Sequence, residues 1–350
     1  MPRITKVFLF AITTLLMSIT AIELYVRNFV INKNFGIYQV DKNTFPHYRL
    51  IDEFSSPRIT ISNNRREQGS RGDRERRIGF IGDSVTFGIG VSDSAAYTEI
   101  LQASQNKYDI YNYGVPGYGL VESAVMLDSI LSQRKYEVIV YTFNFNDIHP
   151  LSPGYLSLLK DSGTHFSTID NYQGSWGKYK LWTKDNLKFL FVLKELWQKD
   201  NIWVDPAPIG SNSLPEYFKA KCYDDLLAEC KHGEHLKLLQ LWLNMYSDPK
   251  LLSSLRKKFL QMDKKAQAHG TQLVILPFYD FHIMEYHASF FKTALHSLLS
   301  NNQISYIETF PLFEKEYREC GFYSDVGHPG IRGNELIAEL ILQKLGLIDQ

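Results

Sequence analysis

Short apolar runs with strand character alternate with helical patterns along most of this chain, and this alternation limits the folds available to it. The runs are rich in β-branched and aromatic residues, as buried strands are. They span Ile78–Ile81, Tyr108–Tyr113, Val138–Phe143, Gln272–Leu276 and Ile304–Ile307. Strands that alternate with helices favour a parallel sheet with helices on both faces. The sequence therefore predicts an α/β domain.

Apolar residues at helical spacing separate these runs or follow them. One helical pattern begins at Tyr97, and four others cover Leu120–Leu131, Leu251–Ala268, Phe290–Leu299 and Glu335–Leu345. The stretch from about residue 150 to residue 250 breaks the alternation and contains several aromatic residues, including Trp176, Tyr179, Trp182, Trp197 and Trp203. We interpret this stretch as a largely helical insertion between the third and fourth strands, where it would form a lid or a substrate wall. Its aromatic residues favour the core of the insertion over a sugar-binding platform.

Two short segments far apart in the chain together contain the residue types of a serine nucleophile site. Ser84 follows the first predicted strand, and Asp325 and His328 lie three residues apart near the C-terminus. A serine needs a base to become a nucleophile, and the base needs a third group to orient it. The Asp-X-X-His spacing lets a single turn present both side chains to one place. The sequence therefore predicts a serine esterase site.

Donors for an oxyanion follow the next two predicted strands. Gly117 and Asn146 lie just past these strands, and in parallel sheets ligands bind at the carboxyl ends of the strands. A glycine can bring its backbone N–H close to a ligand, and an asparagine amide is a natural donor. Together with the N–H of Ser84, these groups would stabilise a tetrahedral intermediate. Gly114 is the rival of Gly117 for this role.

These segments, taken in order, resemble the four blocks of the SGNH (GDSL) hydrolase family, which is named for a Ser, a Gly, an Asn and a His. The first block is Gly82-Asp83-Ser84, with Val85 where leucine is common. The second matches at Gly117, five residues after Asn112. The third matches at Asn146-Asp147, although Asn144 stands where a glycine is common, and the fourth is Asp325-X-X-His328-Pro329. The resemblance covers roughly residues 77–347, apart from the insertion.

The resemblance implies a flavodoxin-like α/β/α fold with five parallel strands in the order 2-1-3-4-5. It implies that Ser84 is the nucleophile, that His328 acts as general base and then as general acid, and that Asp325 orients His328. Ser84 and Gly117 backbone amides and the Asn146 side chain would form the oxyanion hole. No metal or organic cofactor is expected. Residues 82–91 also resemble bacterial members with an N-terminal membrane segment, whose substrates are frequently O-acylated glycans.

The N-terminus has the character of a targeting or anchoring segment. Arg3 and Lys6 precede an uncharged, mostly apolar run from Val7 to Ile22, and a bilayer span needs roughly 20 residues. The run reaches that length when it is counted on through Val26. We expect an uncleaved signal anchor over residues 1–27, although a cleaved signal peptide and an amphipathic or buried segment are also compatible with the run. In the first two cases the rest of the chain is exported to the periplasm or the cell exterior.

Residues 28–76 lack a clear period, and we interpret them as a connecting arm that precedes a hydrolase domain over residues 77–350. Charged residues are dense between Arg65 and Arg77. Such a run is typical of a solvated segment, and contact with an anionic membrane surface or a glycan is the sharper interpretation.

The cysteines do not settle the compartment. Cys222 and Cys230 lie eight residues apart, which on a continuous helix separates them by about 12 Å, and a disulfide needs Cα atoms within about 7 Å. Free or buried thiols are therefore at least as favoured as a bridge. Cys230, His232 and His235 are also a loose candidate for a metal site, with the residue types but not the spacing of a strong one.

The formal net charge of zero argues against nucleic acid as the main partner, because phosphate binding needs a positive field. The predicted function is removal of an O-acyl group, with acetyl favoured, from a carbohydrate or a similar ester. An O-acyltransferase would use the same residues and pass the acyl group to a sugar hydroxyl. The sequence is also compatible with a lipid esterase or thioesterase, and with a non-catalytic glycan-binding protein on the same fold.

Overall fold

The computed structural model describes residues 5, 13–14, 17–22, 38–40, 48–50, 53–55, 59–63, 65–66, 74–148, 221–231, 233–299 and 304–347. The chain forms two compact units, one of residues 1–49 with 167–206 and one of residues 50–166 with 207–350. Two short strands, β1 (Tyr38–Val40) and β2 (Tyr48–Leu50), pair with each other.

Five parallel strands form the main sheet of the second unit. They are β6 (Arg77–Gly82), β7 (Asp109–Gly114), β8 (Val138–Asn144), β9 (Gln272–Phe278) and β10 (Ser305–Tyr306). The spatial order is β7-β6-β8-β9-β10, with all pairs parallel. In order of sequence this is 2-1-3-4-5, so the expected flavodoxin-like topology is confirmed. The strands β7 and β8 are buried along their whole length, as expected of strands covered on both faces.

Helices cover both faces of this sheet. The helices α2 (Tyr97–Ser104) and α9 (Ile331–Lys344) pack against each other. The helix α6 (Pro249–Ala268) contacts both α3 (Leu120–Gln133) and α7 (Phe281–Leu299). Right-handed crossovers place the helix between the first two strands on one face and the later crossover helices on the other, because the chain reverses its direction along the sheet after β7. The predicted α/β/α layers follow from this reversal.

The helix α6 shows how local sequence sets the bounds of an element. Asp248 caps its first turn by accepting a hydrogen bond from the Lys250 amide at 2.8 Å, and Pro249 occupies the first helical position. The helix ends just before Gly270, whose φ of +68° lies in the left-handed region that favours glycine. Leu251, Leu255, Phe259, Met262 and Ala266 are buried at intervals of three or four residues.

The described end of the predicted insertion is helical, with α4 (Tyr223–Cys230) and α5 (Gly233–Tyr246). The rest of the predicted insertion, with its tryptophans, lies outside the described residues. Cys222 and Cys320 form a disulfide, whereas Cys230 is buried and free. The sequence left the disulfide state of the cysteines open and weighed only a Cys222–Cys230 bridge, which the structure does not contain. The partners lie 98 residues apart in sequence, so spacing along the chain could not reveal the pair.

An antiparallel sheet precedes the main sheet and is formed by β3 (Glu53–Ser55), β4 (Thr60–Ser62) and β5 (Arg65–Arg66). Arg65 and Arg66 are buried, with exposed fractions of 6% and 0%. The interpretation of this charged run as a solvated segment is therefore wrong at both residues, because each arginine has partners within the fold. The strand β5 lies against β7.

The C-terminal part of the unit contains α8 (Phe310–Glu316) and a hairpin of β11 (Tyr323–Asp325) and β12 (His328–Pro329). None of the helices in the described part of the chain combines the length and the apolar character that a membrane span needs. Of the predicted anchor over residues 1–27, only residues 5, 13–14 and 17–22 are described, and all of them are helical. The rest of that prediction lies outside the described residues.

Candidate active site

The turn after the central strand β6 places Ser84 at the carboxyl end of the sheet. Gly82 has a φ of +149°, and a Cβ there would lie 2.4 Å from Thr86 Oγ1 and 2.8 Å from the Thr142 carbonyl oxygen. Asp83 accepts a hydrogen bond from the Val85 amide at 2.9 Å and caps the one-turn helix α1 (Ser84–Phe87). Each residue of the Gly-Asp-Ser segment thus has a defined role in presenting the serine hydroxyl.

The β11–β12 hairpin brings the second predicted segment to the same place. His328 Nε2 lies 2.8 Å from Ser84 Oγ. On the other side of the ring, His328 Nδ1 lies 2.9 Å and 2.8 Å from the two carboxylate oxygens of Asp325. The Gly327 amide donates to Asp325 Oδ1 at 2.7 Å and so fixes the carboxylate within the turn. The structure therefore joins Ser84, His328 and Asp325 in one continuous chain of hydrogen bonds.

Electrostatics favour a charged imidazole beside a charged carboxylate. Burial acts to lower the pKa of His328, but the charge and the hydrogen bond of Asp325 outweigh burial and raise this pKa to about 9. Burial likewise acts to raise the pKa of Asp325, but the charge and hydrogen bond of His328, together with the hydrogen bond from the Gly327 amide, outweigh burial, so that this pKa lies below its ordinary value. The charged form of Asp325 is therefore favoured, and its carboxylate holds the Nδ1 edge of the imidazole ring.

The two other predicted site residues lie just past the ends of the strands that flank β6 in the sheet. Gly117 lies in the exposed turn between β7 and α3 with a φ of +82°, and Asn146 lies half-buried in a 3-10 turn (Phe145–Ile148) directly after β8. Because β7 and β8 are the neighbours of β6, these residues follow strand ends on either side of Ser84. Their use as oxyanion donors stays a prediction.

Gly114, the rival of Gly117, has a different reason to be glycine. A Cβ at this position would lie 2.2 Å from the Phe87 amide nitrogen and 2.6 Å from the carbonyl carbon of Thr86. Gly114 thus allows β7 to approach the backbone of α1 closely. Nearby, Asn112 Nδ2 donates to the Thr86 carbonyl at 2.7 Å, which ties the two segments together. These contacts give Gly114 a packing role.

Asn144 shapes the turn that bears Asn146. It stands at a position where the SGNH family, which the sequence resembles, commonly has glycine. The Asn144 side chain accepts a hydrogen bond from the Asn146 amide at 3.3 Å and donates to Asp280 Oδ1 at 3.2 Å. Asp147 accepts from the Asn144 amide at 3.2 Å and from the Tyr141 hydroxyl. Sequence reasoning missed Asp280, because it lies 136 residues from Asn144 and no local pattern marks it.

Asn334 is a second residue that sequence reasoning missed. It is fully buried, and its side chain accepts from the Tyr97 amide at 3.0 Å while it donates to the carbonyls of Pro329 and Gly330 at 3.1 Å and 2.9 Å. It therefore ties the segment after His328 to the start of α2. The predicted helix from Glu335 begins four residues too late, since α9 begins at Ile331. Asn334 lies within α9, and a polar residue among the buried positions of this helix was the signal that could have marked it.

Among the residues that the structure describes, no group of three His, Cys, Asp or Glu side chains could hold a metal ion. The loose metal-site candidate of Cys230, His232 and His235 stays a prediction, because His232 lies outside the described residues. Nothing in the described triad requires a metal, since its base and its orienting carboxylate are both side chains of the chain.

Comparisons with known proteins find no matching family model and no matching curated protein. Solved structures do resemble the chain. A member of the lipolytic protein G-D-S-L family from Veillonella parvula DSM 2008 is 13% identical with a TM-score of 0.40, covering 77% of this chain and 97% of its own. A catalytic mutant of the acetylxylan esterase Axe2 from Geobacillus stearothermophilus is 11% identical with a TM-score of 0.40, covering 80% and 100%. The psychrotrophic esterase EstA from Pseudoalteromonas sp. is 11% identical with a TM-score of 0.38, covering 77% and 97%.

Proposed function

We propose that this protein is a serine esterase of SGNH type that works through an acyl-enzyme. The observation that carries the proposal is the continuous hydrogen-bond chain from Ser84 Oγ through the His328 ring to the Asp325 carboxylate. A nucleophile, a base within hydrogen-bond reach and a third group that orients the base are the parts that acyl transfer to a serine requires. The order and spacing of the four sequence blocks support the same assignment.

The first half of the reaction transfers the acyl group to Ser84. Neutral His328 takes the hydroxyl proton through Nε2 as Ser84 Oγ attacks the ester carbonyl carbon. The imidazolium that forms is stabilised by Asp325, which does not itself take up the proton. The amides of Ser84 and Gly117 and the side chain of Asn146 would bind the negative oxygen of the tetrahedral intermediate. His328 then returns its proton to the leaving alcohol as the ester C–O bond breaks.

The second half releases the acid. His328, now neutral again, takes a proton from an incoming water, whose oxygen attacks the acyl carbonyl. The second tetrahedral intermediate breaks its bond to Ser84 Oγ, which takes the proton back from His328. A sugar hydroxyl in place of water would make the same protein an O-acyltransferase, because the acceptor is selected by the exclusion of water and by pocket shape.

The substrate that we propose is an O-acylated carbohydrate, with acetyl as the favoured acyl group. Support for it comes from the likeness of residues 82–91 to bacterial family members with an N-terminal membrane segment. On the same basis, we propose that residues 1–27 anchor the chain in a membrane and that the catalytic unit is exported. The apolar run between Val7 and Ile22 after two basic residues supports this localisation.

The proposal is tested by comparing the wild-type protein with Ser84→Ala. We expect wild type to hydrolyse short activated acyl esters and to be labelled by a fluorophosphonate probe, and both activities to be lost in Ser84→Ala. Ser132→Ala is the matched control, because this serine is exposed on α3 and its hydroxyl only donates to the Ser129 carbonyl at 2.7 Å.

The outcomes separate the candidate functions. A folded wild-type protein that neither hydrolyses esters nor takes the label would contradict the esterase and leave either a dedicated transferase that needs its own partners or a glycan-binding protein. Suppression of hydrolysis by an added saccharide, with acylated saccharide as the product, would identify a transferase. A strong preference for long acyl chains or for thioesters would favour a lipid esterase or thioesterase over the carbohydrate assignment.

A further inference from the structure

A fully buried arginine from the segment before the main sheet binds the chain that follows the nucleophile. Arg66 Nη1 donates to the carbonyl of Phe87 at 2.8 Å and also to that of Gly88, and Nη2 donates to the carbonyl of Val91 at 2.7 Å. Its Nε donates to Asp93 Oδ1 at 2.8 Å. The guanidinium therefore has four acceptors within seven consecutive residues, and all of them lie just after Ser84 in sequence.

The acceptors matter because α1 is a single turn. The last carbonyls of a helix have no partner within it, and in a helix of four residues they form a large part of its hydrogen bonding. Arg66 supplies the missing donors at Phe87 and Gly88. The Gly88 amide in turn donates to the carbonyl of Ser84 at 3.0 Å. Two hydrogen bonds thus connect the guanidinium to the backbone of the nucleophile.

Packing around the guanidinium leaves little freedom for this loop. Gly88 has a φ of +86°, and a Cβ there would lie 2.9 Å from Arg66 Nη1. The guanidinium carbon of Arg66 lies 5.0 Å from the centre of the Phe87 ring. The carboxylate of Asp93 balances the positive charge of Arg66 through their 2.8 Å ion pair, and Asp93 is itself only 5% exposed. A buried charge without its partner is strongly unfavourable, so each member of the pair requires the other.

We infer that Arg66 and Asp93 are a positioning pair that fixes Ser84 in line with His328. The pair touches no reacting atom and acts through the turn at Phe87–Gly88. This inference rests on the proposed function, because it concerns the reactivity of Ser84. It also gives the segment before the main sheet a role in the site that a connecting arm would not have.

A buried ion pair can also serve only to stabilise the fold. A stabilising pair and a positioning pair differ in which property a substitution changes. A pair that only stabilises the fold would lower the melting temperature and leave the reactivity of each folded molecule unchanged. A positioning pair would lower the rate of acylation at temperatures where the variant is fully folded. The effect would fall on kcat more than on KM, because substrate binding does not need an aligned serine.

The experiment measures the second-order rate constant of fluorophosphonate labelling, kcat and KM for an activated acetyl ester, and the melting temperature. It compares the full-length wild type with Arg66→Lys, Arg66→Met and Asp93→Asn. Lysine keeps the charge but cannot supply the planar fork of donors that four acceptors require. Arg76→Met is the control, since Arg76 forms an equally short bidentate pair with Glu137, at 2.8 Å and 2.7 Å, on the exposed surface.

We expect labelling to slow by about 100-fold in folded Arg66→Lys, the loss that a misplacement of about 1 Å can produce, and to be unchanged in Arg76→Met. Asp93→Asn tests the same point if Arg66→Met does not fold. Wild-type labelling rates in folded Arg66→Lys and Asp93→Asn would overturn the inference and leave the esterase assignment standing. A wild-type protein that does not label would overturn both.

Discussion

The Asp325 carboxylate is predicted to set the pH at which Ser84 becomes reactive, and Asp325→Asn tests this. His328 must be neutral to accept the serine proton, so acylation should be slow below the pKa of His328 and should rise with pH through it. That pKa is about 9 in the structure, and the carboxylate is what holds it above the ordinary value of 6.5. The wild-type rate should therefore rise up to about pH 9 and level off above it.

The size of the effect follows from the same two values. The gap between 6.5 and about 9 corresponds to about 3 kcal/mol of preferential stabilisation of the imidazolium. At pH 7 only about one wild-type molecule in 100 would hold a neutral His328. Without the Asp325 carboxylate, burial still lowers the pKa of His328, and only the weaker charges of Asp83 and Asp280 still raise it. The pKa should therefore fall from about 9 toward its ordinary value, so that a much larger share of Asp325→Asn molecules would be neutral at pH 7.

Asp325→Asn also loses the group that orients the ring and stabilises the imidazolium, which costs on the order of 10⁴ in limiting rate for triads of this kind. Asp325→Asn should thus be labelled more slowly than wild type at every pH, and the size of the difference should depend on pH. Its deficit should be largest above about pH 9 and smaller by up to about 100-fold at pH 7, where wild type is itself mostly protonated. The midpoint of its profile should lie well below that of wild type, because the largest influence that raises the pKa of His328 is gone.

Labelling rates with the fluorophosphonate probe, measured from about pH 6 to about pH 10, provide the assay, because the profile then reports on the free enzyme. Asp128→Asn is the control, since Asp128 is an exposed carboxylate whose ion pair with Lys265 spans 3.4 Å at the surface. A wild-type profile that is already level at pH 7 would refute the reasoning. So would an Asp325→Asn profile with the wild-type midpoint.

Two further substitutions test the packing that supports the site. Gly114→Ala should lower the free energy of unfolding by about 1–3 kcal/mol in urea denaturation, because the new Cβ would lie 2.2 Å from the Phe87 amide nitrogen and the backbone would have to shift. An unchanged unfolding midpoint would contradict the close approach of β7 to α1. Asn334→Ala should cost about 1–3 kcal/mol in the same measurement, because the Tyr97 amide and two carbonyls lose their partner in a buried place; a variant as stable as wild type would mean that water satisfies these groups.

The fold was predictable because its signals are local. The short runs predicted as strands overlap all five strands of the main sheet, although β10 is exposed and covers only Ser305–Tyr306. The strand order came from the resemblance to the SGNH family, which implies it. The prediction failed where partners are distant in sequence. The Cys222–Cys320 disulfide and the Asn144–Asp280 hydrogen bond each join segments about 100 residues or more apart, and neither residue pair stands out in its own neighbourhood.

Arg66 illustrates a different limit of sequence reasoning. A dense run of charges is typical of a solvated segment, and most of the residues around Arg66 support that interpretation. Burial of one guanidinium depends on whether the fold offers enough acceptors, and here the acceptors are backbone carbonyls, which sequence does not distinguish. The residue whose environment departs most from the prediction is also the one that contacts the nucleophile turn.

The carboxyl groups around His328 show why Asp325 in particular can orient the base. Asp147 and Asp280 are also buried near the site, but burial raises the pKa of each well above its ordinary value, and their hydrogen bonds do not compensate. Burial therefore disfavours the charged form of both, whereas the pKa of Asp325 is lowered and its charged form is favoured. Two further negative charges at this depth would oppose the oxyanion that forms on acylation, so the raised pKa values of Asp147 and Asp280 act in favour of that oxyanion. Asp325 keeps its charge because it alone of these three lies directly against the imidazolium.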